Sequence, residues 1–154
     1  GARQDEVLAA AREIRRDGQP LFGTVQATYN ILDPSSGKAL EQAASAGMGV
    51  TVKEALANGR LTPRNRNENF AERKAVLERM AKAHKVGMDA LALAFVLARP
   101  WAHLVLSGAA TERHLLSNLD AFKVELSEQE LAELEGLAME KEDYWEERSA
   151  LQWN

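Results

Sequence analysis

The stretch Val50-Thr-Val-Lys-Glu-Ala-Leu-Ala-Asn-Gly-Arg-Leu61 decides how this chain is read. It starts as a buried strand, with β-branched apolar residues at Val50 and Val52, and changes character within three residues. Lys53 and Glu54 put two charges directly behind the strand, and the small-residue run Ala55 to Gly59 follows. An interior strand thus ends in charge and in a compact, backbone-rich loop.

The flanking segments repeat this alternation. Val7, Leu8, Ala11 and Ile14 recur at helical spacing, and the pattern predicts a helix over Asp5–Asp17, stopped by Gly18-Gln-Pro20. Leu21–Ile31 is short and rich in β-branched and aromatic residues, so a strand is expected there. Asp33-Pro-Ser-Ser-Gly37 is a turn cluster, and Lys38–Ala46 a short helix. Gly49–Ala55 is the second strand, and the polar segment Arg60–Phe70 reads as a surface loop. Helices are expected over Glu72–Lys85 and over Asp89–Ala98, the latter apolar almost all round and therefore buried. His103–Leu106 is the third strand, and Thr111–Ala121 a helix capped by Thr111. Ser127-Glu-Gln-Glu130 is a capping box that opens a helix to Ala138. The tail Glu140–Asn154 is acidic and then aromatic, with Tyr144, Trp145 and Trp153.

Alternating helices and near-continuous apolar strands imply an α/β fold with a parallel sheet. A three-stranded parallel sheet leaves two open edges and one uncovered face, so the sequence reads as part of something larger. The chain has no initiator Met and starts inside an apparent helix start, which suggests a fragment, a processed product or a trimmed chain.

Composition narrows the function. The length of 154 residues suits one domain, and 45% apolar with 27% charged residues is ordinary for a globular chain. A formal net charge of −4 argues against a nucleic-acid platform. The absence of cysteine removes disulfides, thiolate catalysis and thiolate metal sites, and it agrees with a cytoplasmic setting. The longest apolar run, near Ala90–Ala98, is too short to span a membrane. No carboxylate or histidine spacing supports a metal site.

In barrels and open α/β sheets, functional groups gather at the carboxyl ends of the strands. Three segments qualify: Gln26–Asn30, Lys53–Arg60 and Ser107–His114. The first carries the amides Gln26 and Asn30 beside Tyr29. The second offers backbone N–H groups around Ala57-Asn58-Gly59 that could face an anion. The third leads a Ser-Gly-Ala-Ala loop into a helix N-terminus with Arg113 and His114, a second anion candidate. Each also has a plain structural reading. Gln26 could satisfy a buried neighbour, Tyr29 could be core, and Ala-Asn-Gly could be only a turn. His84 and His103 read as structural, and the Glu-rich segment Glu128–Glu147 as a solvated face.

Three separated segments resemble the C-terminal half of the aldo-keto reductases, (β/α)8-barrel enzymes that use NADPH or NADH. Thr24-Val-Gln-Ala-Thr-Tyr-Asn-Ile-Leu32 is similar to the family's sixth strand, and Gly47–Leu61 to the seventh with its loop. Ala92–Pro100, Leu106-Ser-Gly-Ala-Ala and Leu115-Leu-Ser-Asn118 are similar to the eighth-strand region. The resemblance implies a partial barrel carrying family strands six to eight over residues 1–139, with 140–154 as a C-terminal tail. It implies that Gln26 binds the nicotinamide carboxamide and that Leu56, Ala57, Asn58, Gly59 and Leu61 surround the pyrophosphate. Gly108, Ala109, Thr111, His114 and Asn118 would receive the adenosine end, with NADP(H) favoured over NAD(H). Two positions depart from the pattern: Lys53 stands about where the family commonly has an aromatic that stacks on nicotinamide, and Ala55 replaces the Pro of a Pro-Leu pair.

The family's catalytic Asp, Tyr, Lys and His come from its first four strands, so the resemblance implies no catalytic residue in this chain. Alone, it is expected to be inactive toward the small carbonyl substrate of the parent enzyme. Its partner would be the missing N-terminal half or a self-pairing copy, with neither nucleic acid nor membrane. The alternative is a non-catalytic binding or structural module of the same ancestry. Trp145 and Trp153 would cap the barrel or line a substrate pocket.

Overall fold

Helix α1 (Gln4–Glu13) opens the computed structural model, which describes residues 1–151. Trp153 lies outside the described residues. The sequence predicts a first helix reaching Asp17, but α1 stops four residues earlier. Asp17 and Gly18 take left-handed φ values of 52° and 79° and form the turn of a small hairpin. Its two-residue strands are β1 (Arg15–Arg16) and β2 (Gln19–Pro20), paired antiparallel. The predicted strand Leu21–Ile31 contracts to β3 (Thr24–Thr28) because its partner begins pairing only at Gly49. Leu21 and Phe22 consequently stand exposed.

The main sheet has the order β3-β4-β5, with β4 at Gly49–Lys53 and β5 at Leu104–Val105. Both pairings are parallel, with Val25 opposite Val50, Ala27 opposite Val52, and Val52 opposite Val105. Since side chains alternate across a strand, Val25, Ala27, Val50 and Val52 share one face, and all four are buried. Gln26 lies opposite Thr51, and Thr51 opposite Leu104, on the other face, where Gln26 and Leu104 are exposed. The expected α/β architecture is therefore present as three parallel strands with flanking helices, and among the described residues the sheet does not close into a barrel. The free edge of β3 is capped by α1: Gln4 Nε2 donates to the Thr28 carbonyl at 2.8 Å, and the Thr28 N–H donates to Gln4 Oε1 at 3.0 Å.

Helix α2 (Gly37–Ser45) packs on β3 and β4. Helices α3 (Ala71–Ala83) and α4 (Met88–Leu97) fill the β4-to-β5 crossover. In α4, Met88 and every residue from Ala90 to Val96 are buried, as its all-round apolar sequence predicts. Tyr29 belongs to this core. Its ring stacks on Phe95 at 5.9 Å and meets the edge of Trp101 at 4.8 Å. Helix α5 (Glu112–Leu119) continues into a 3-10 turn at Asp120–Lys123. Helix α6 (Glu128–Glu135) carries the full Ser127/Glu130 capping box.

The acidic tail contains one further helix, α7 (Lys141–Ala150), which the sequence reading did not anticipate. It folds there because Tyr144 is wholly buried beneath the carboxyl ends of β3 and β4. No helix among the described residues is long and apolar enough to cross a membrane.

Candidate functional site

The parallel register brings the carboxyl ends of β3, β4 and β5 to one edge of the sheet. Leu106 N–H donates to the Val52 carbonyl at 2.9 Å, so the loop after β5 leaves the sheet beside the loop after β4. Between these loops lies a cleft of ≈ 350 Å³. Leu56, Thr62 and Arg64 line it from the β4 side, and Gly108, Arg113, His114, Ser117 and Asn118 from the β5–α5 side. The start of α4 closes its floor through Gly87 and Asp89.

Local chemistry shapes each wall. Thr111 caps α5 by accepting a hydrogen bond from the His114 N–H at 3.2 Å, and Arg113 and His114 of this first turn line the cleft. Gly108 supplies the turn into it with φ of 63°, a region that suits glycine. Asn118 is buried, and its Nδ2 donates to the Ser107 carbonyl at 2.9 Å, tying helix to loop. Ser117 Oγ donates to Asp89 Oδ2 at 2.7 Å, while Asp89 Oδ1 accepts from the Ala90 N–H at 3.1 Å. A Cβ at Gly87 would collide with Asp89 Oδ1, so any other residue there would displace this carboxylate.

The cleft therefore joins a helix N-terminus to Arg64, Arg113 and His114, a donor set suited to a phosphorylated ligand. Ala109 and Thr111 flank it, Ala109 half-buried and Thr111 exposed. The sequence reading found Leu56, Gly108, His114 and Asn118 at this place. It missed Thr62, Arg64, Gly87, Asp89 and Ser117. Arg64 follows closely on Leu61, which was its one available signal. Thr62 follows Leu61 directly in the same loop, whereas Gly87, Asp89 and Ser117 reach the cleft only through the packing of α4 against α5.

The loop after β4 differs from expectation. Its backbone amides are turned inward: Ala57 N–H donates to the Glu54 carbonyl at 2.8 Å, Gly59 N–H to Leu56 at 3.0 Å, and Leu61 N–H also to Leu56, at 3.2 Å. Ala57 and Leu61 are fully buried, whereas Asn58 is exposed. Glu54, Ala57, Asn58 and Gly59 adopt left-handed φ values of 56°, 48°, 56° and 87°. In this conformation the loop frames the cleft through Leu56 and turns the amides of Ala57, Gly59, Arg60 and Leu61 to its own carbonyls.

Gln26 lies apart. It lines a second hollow, ≈ 280 Å³, with Lys53 and residues of α1, including Gln4 and Leu8. Asn30, grouped with Gln26 in the sequence reading, is structural: it is wholly buried and holds two loops and α7 together. His103 Nδ1 accepts from the Val50 N–H at 3.0 Å, and His84 Nε2 lies 2.7 Å from Glu130 Oε1, so both carry structural roles. Trp145 packs against the core with its ring edge-on to Tyr144 at 5.4 Å. No group of His, Cys, Asp and Glu able to hold a metal occurs among the described residues.

A parallel β/α array with a cleft carrying basic side chains at the carboxyl ends of its strands is an arrangement found in barrel-type and open α/β nucleotide-binding proteins. Comparison with known proteins makes this specific. The Aldo/keto reductase family model matches residues 5–139, and the chain belongs to that family. Among solved structures it is similar to a thermostable aldo-keto reductase, Tm1743, crystallised with the inhibitor epalrestat, with 29% identity and a TM-score of 0.60. That match covers 74% of this chain and 39% of the other.

A provisionally assigned 2,5-diketo-D-gluconic acid reductase B gives 26% identity and a TM-score of 0.65, over 88% of this chain and 43% of the other. An aldo-keto reductase from Bacillus halodurans in its apo form, 20% identical, shares the fold with a TM-score of 0.65, over 88% of this chain and 48% of the other. The chain thus spans less than half the length of the solved structures it matches. No curated protein matches. The family is one of oxidoreductases that bind nicotinamide cofactors.

Proposed function

We propose that residues 1–154 are the cofactor-holding C-terminal portion of an NAD(P)H-dependent aldo-keto reductase, with a barrel part at 1–139 and a tail at 140–154. The parent reaction is reduction of an aldehyde or ketone to an alcohol. The observation that carries this reading is the convergence of Arg64, Arg113, His114 and the α5 N-terminus on one cleft at the strand ends. In that cleft they would hold the phosphates and adenosine of the cofactor, with Leu56, Gly108, Ala109, Thr111 and Asn118 shaping the walls. Three basic side chains favour NADP(H), whose additional phosphate they would balance. Gln26 would reach the nicotinamide on the open face of the sheet.

When bound, the cofactor supplies hydride, and carbonyl reduction also needs a proton donor at the developing alkoxide. The chain has two tyrosines, and both are withdrawn from the cleft into the core. Burial pushes the Tyr29 phenol up to about 12, away from the range a proton donor needs. We therefore assign the proton-donating residues to a segment outside this chain and expect the 154-residue chain alone to be inactive. That segment, or a self-pairing copy, would cover the exposed face and the open strand edges. The cytoplasm, where a chain without cysteine loses nothing, is its proposed setting.

One observation favours a second reading. The inward-turned amides of Ala57, Gly59 and Leu61 are what a non-catalytic module of the same family would tolerate. Titration of NADPH and NADH, followed by nicotinamide fluorescence, separates the two. Tighter binding of NADPH, with the preference reduced by Arg113→Ala, is the expected result. No saturable binding favours the module, and consumption of NADPH with aldehydes by the pure chain would overturn the assignment of the proton donor.

A further inference from the structure

The four left-handed residues after β4 need an explanation, because three of them, Glu54, Ala57 and Asn58, are not glycine. Such conformations persist where the surroundings over-determine them. Much of what fixes this loop comes from the far end of the sequence.

Arg148 of α7 grips Glu54 with both sides of its guanidinium, Nη2 to Oε1 at 2.6 Å and Nε to Oε2 at 3.4 Å, with side-chain exposures of only 19% and 13%. At the other end of the loop Arg60 is buried, with Nη1 3.2 Å from Glu147 Oε2 of the same helix. The Arg60 guanidinium also lies 4.2 Å from the centre of the Tyr144 ring, and its Nη2 has no hydrogen-bond partner among the described residues. Between the two ion pairs, Asn30 Nδ2 donates both to the Glu54 carbonyl at 3.0 Å and to the Tyr144 hydroxyl oxygen at 2.9 Å. The pairs have opposite polarity: the loop offers an acid first and a base second, and the helix answers with neighbouring base and acid. A fork-shaped guanidinium–carboxylate contact and an arginine stacked on a ring both fix geometry as well as charge.

We propose that α7 is a clasp that sets the shape of the post-β4 loop, with Arg148 and Glu147 as positioning residues for the wall of the nucleotide cleft. The clasp itself stands on these contacts; its consequence for cofactor affinity rests on the cofactor-holding reading above. The loop has both its ends, Glu54 and Arg60, held by residues one apart on one helical turn. Releasing either should let the segment between them open, while α3 and α4, whose side-chain hydrogen bonds and ion pairs go to other residues, stay closed.

Amide hydrogen exchange on the full chain, read by mass spectrometry, tests this. Arg148→Gln should raise exchange across residues 55–61 about tenfold or more through local opening, with exchange in α3 and α4 unchanged. Arg148→Lys, which keeps the charge but loses the fork, should give an intermediate rise. Tenfold weaker NADPH binding by the Arg148→Gln chain would extend the clasp to the cofactor. Faster exchange with no NADPH binding by either protein would leave the clasp standing and count against the cofactor-holding reading. Unchanged exchange at 55–61 in Arg148→Gln, or a uniform rise through α3 and α4, would overturn the proposal.

Discussion

Replacing Asn30 by Ala should cost more stability than any surface substitution in this chain. Asn30 is fully buried, and its side chain makes hydrogen bonds in two directions. Oδ1 accepts from the backbone N–H groups of Leu32 at 2.9 Å and Asp33 at 3.0 Å, which turns the chain after β3. Nδ2 donates to the Glu54 carbonyl and the Tyr144 hydroxyl, which joins the β4 loop and α7 to that turn. Truncation strands the N–H groups of Leu32 and Asp33 and the Tyr144 hydroxyl in a buried site, while the Glu54 carbonyl keeps its bond from the Ala57 N–H.

A buried group left unsatisfied costs about 1–3 kcal/mol. With water admitted into the space to meet part of the demand, the loss should be about 4 kcal/mol. Against a typical domain stability of about 5–15 kcal/mol, that is a large fraction. Asn30→Asp keeps the acceptor and removes the donor. It sets a buried carboxylate against a carbonyl oxygen, so its cost should be larger near neutral pH than near pH ~4. Urea unfolding followed by far-ultraviolet dichroism and tryptophan fluorescence measures both variants. A loss below about 1 kcal/mol for Asn30→Ala would refute the claim that this amide ties three segments together.

Two further outcomes follow from single sites. The Ser127 N–H and hydroxyl, with His84 behind them, hold the Glu130 carboxyl at about 2 against an ordinary 4.5. A depressed folded value contributes stability that is complete above about pH 4.5 and is lost as the pH falls toward 2. The stability difference between the chain and Glu130→Gln should therefore shrink across that window, and a constant difference would contradict it. Gly87→Ala puts a Cβ where Asp89 Oδ1 stands, so Asp89 must swing away and lose its bonds to Ala90 and Ser117. The expected cost is about 1 kcal/mol in chemical denaturation, and a neutral result would show that the carboxylate has another seat.

The order of helices and strands was legible because the apolar pattern sets it locally. Val50 and Val52 specify a buried strand, and the unbroken apolar run of α4 specifies a buried helix, whatever packs on them. Element ends were less legible where a partner decides them. Leu21 and Phe22 have the composition of a strand, but the Leu21 N–H goes back to the Ile14 carbonyl beside the hairpin and β4 begins pairing only at Gly49, so β3 starts at Thr24. The α1 periodicity continues through Ile14, yet the Asp17-Gly18 turn diverts Arg15 and Arg16 into a hairpin.

The tail could not be read at all as structure: α7 is charged over most of its surface and is held by one buried ring and three ion pairs to distant residues, Asp5, Glu54 and Arg60. The site divided the same way. Leu56, Gly108 and His114 were visible as strand-end residues and Asn118 through the family resemblance, whereas Asp89 and Ser117 come together only because α4 lies against α5. Asn30, a polar residue at a strand end, looked functional and is an organiser of turns, a distinction that depends on contacts up to 114 residues away.

The most direct test of the account is where a nucleotide touches the chain. NADPH titrated into isotopically labelled protein, with backbone amide resonances followed by nuclear magnetic resonance, locates the contact. The account predicts saturable shifts concentrated at Thr62–Arg64 and Gly108–Asn118, with the amides of α6 undisturbed. Saturable shifts elsewhere, or no shifts in the cleft at saturating NADPH, would contradict it.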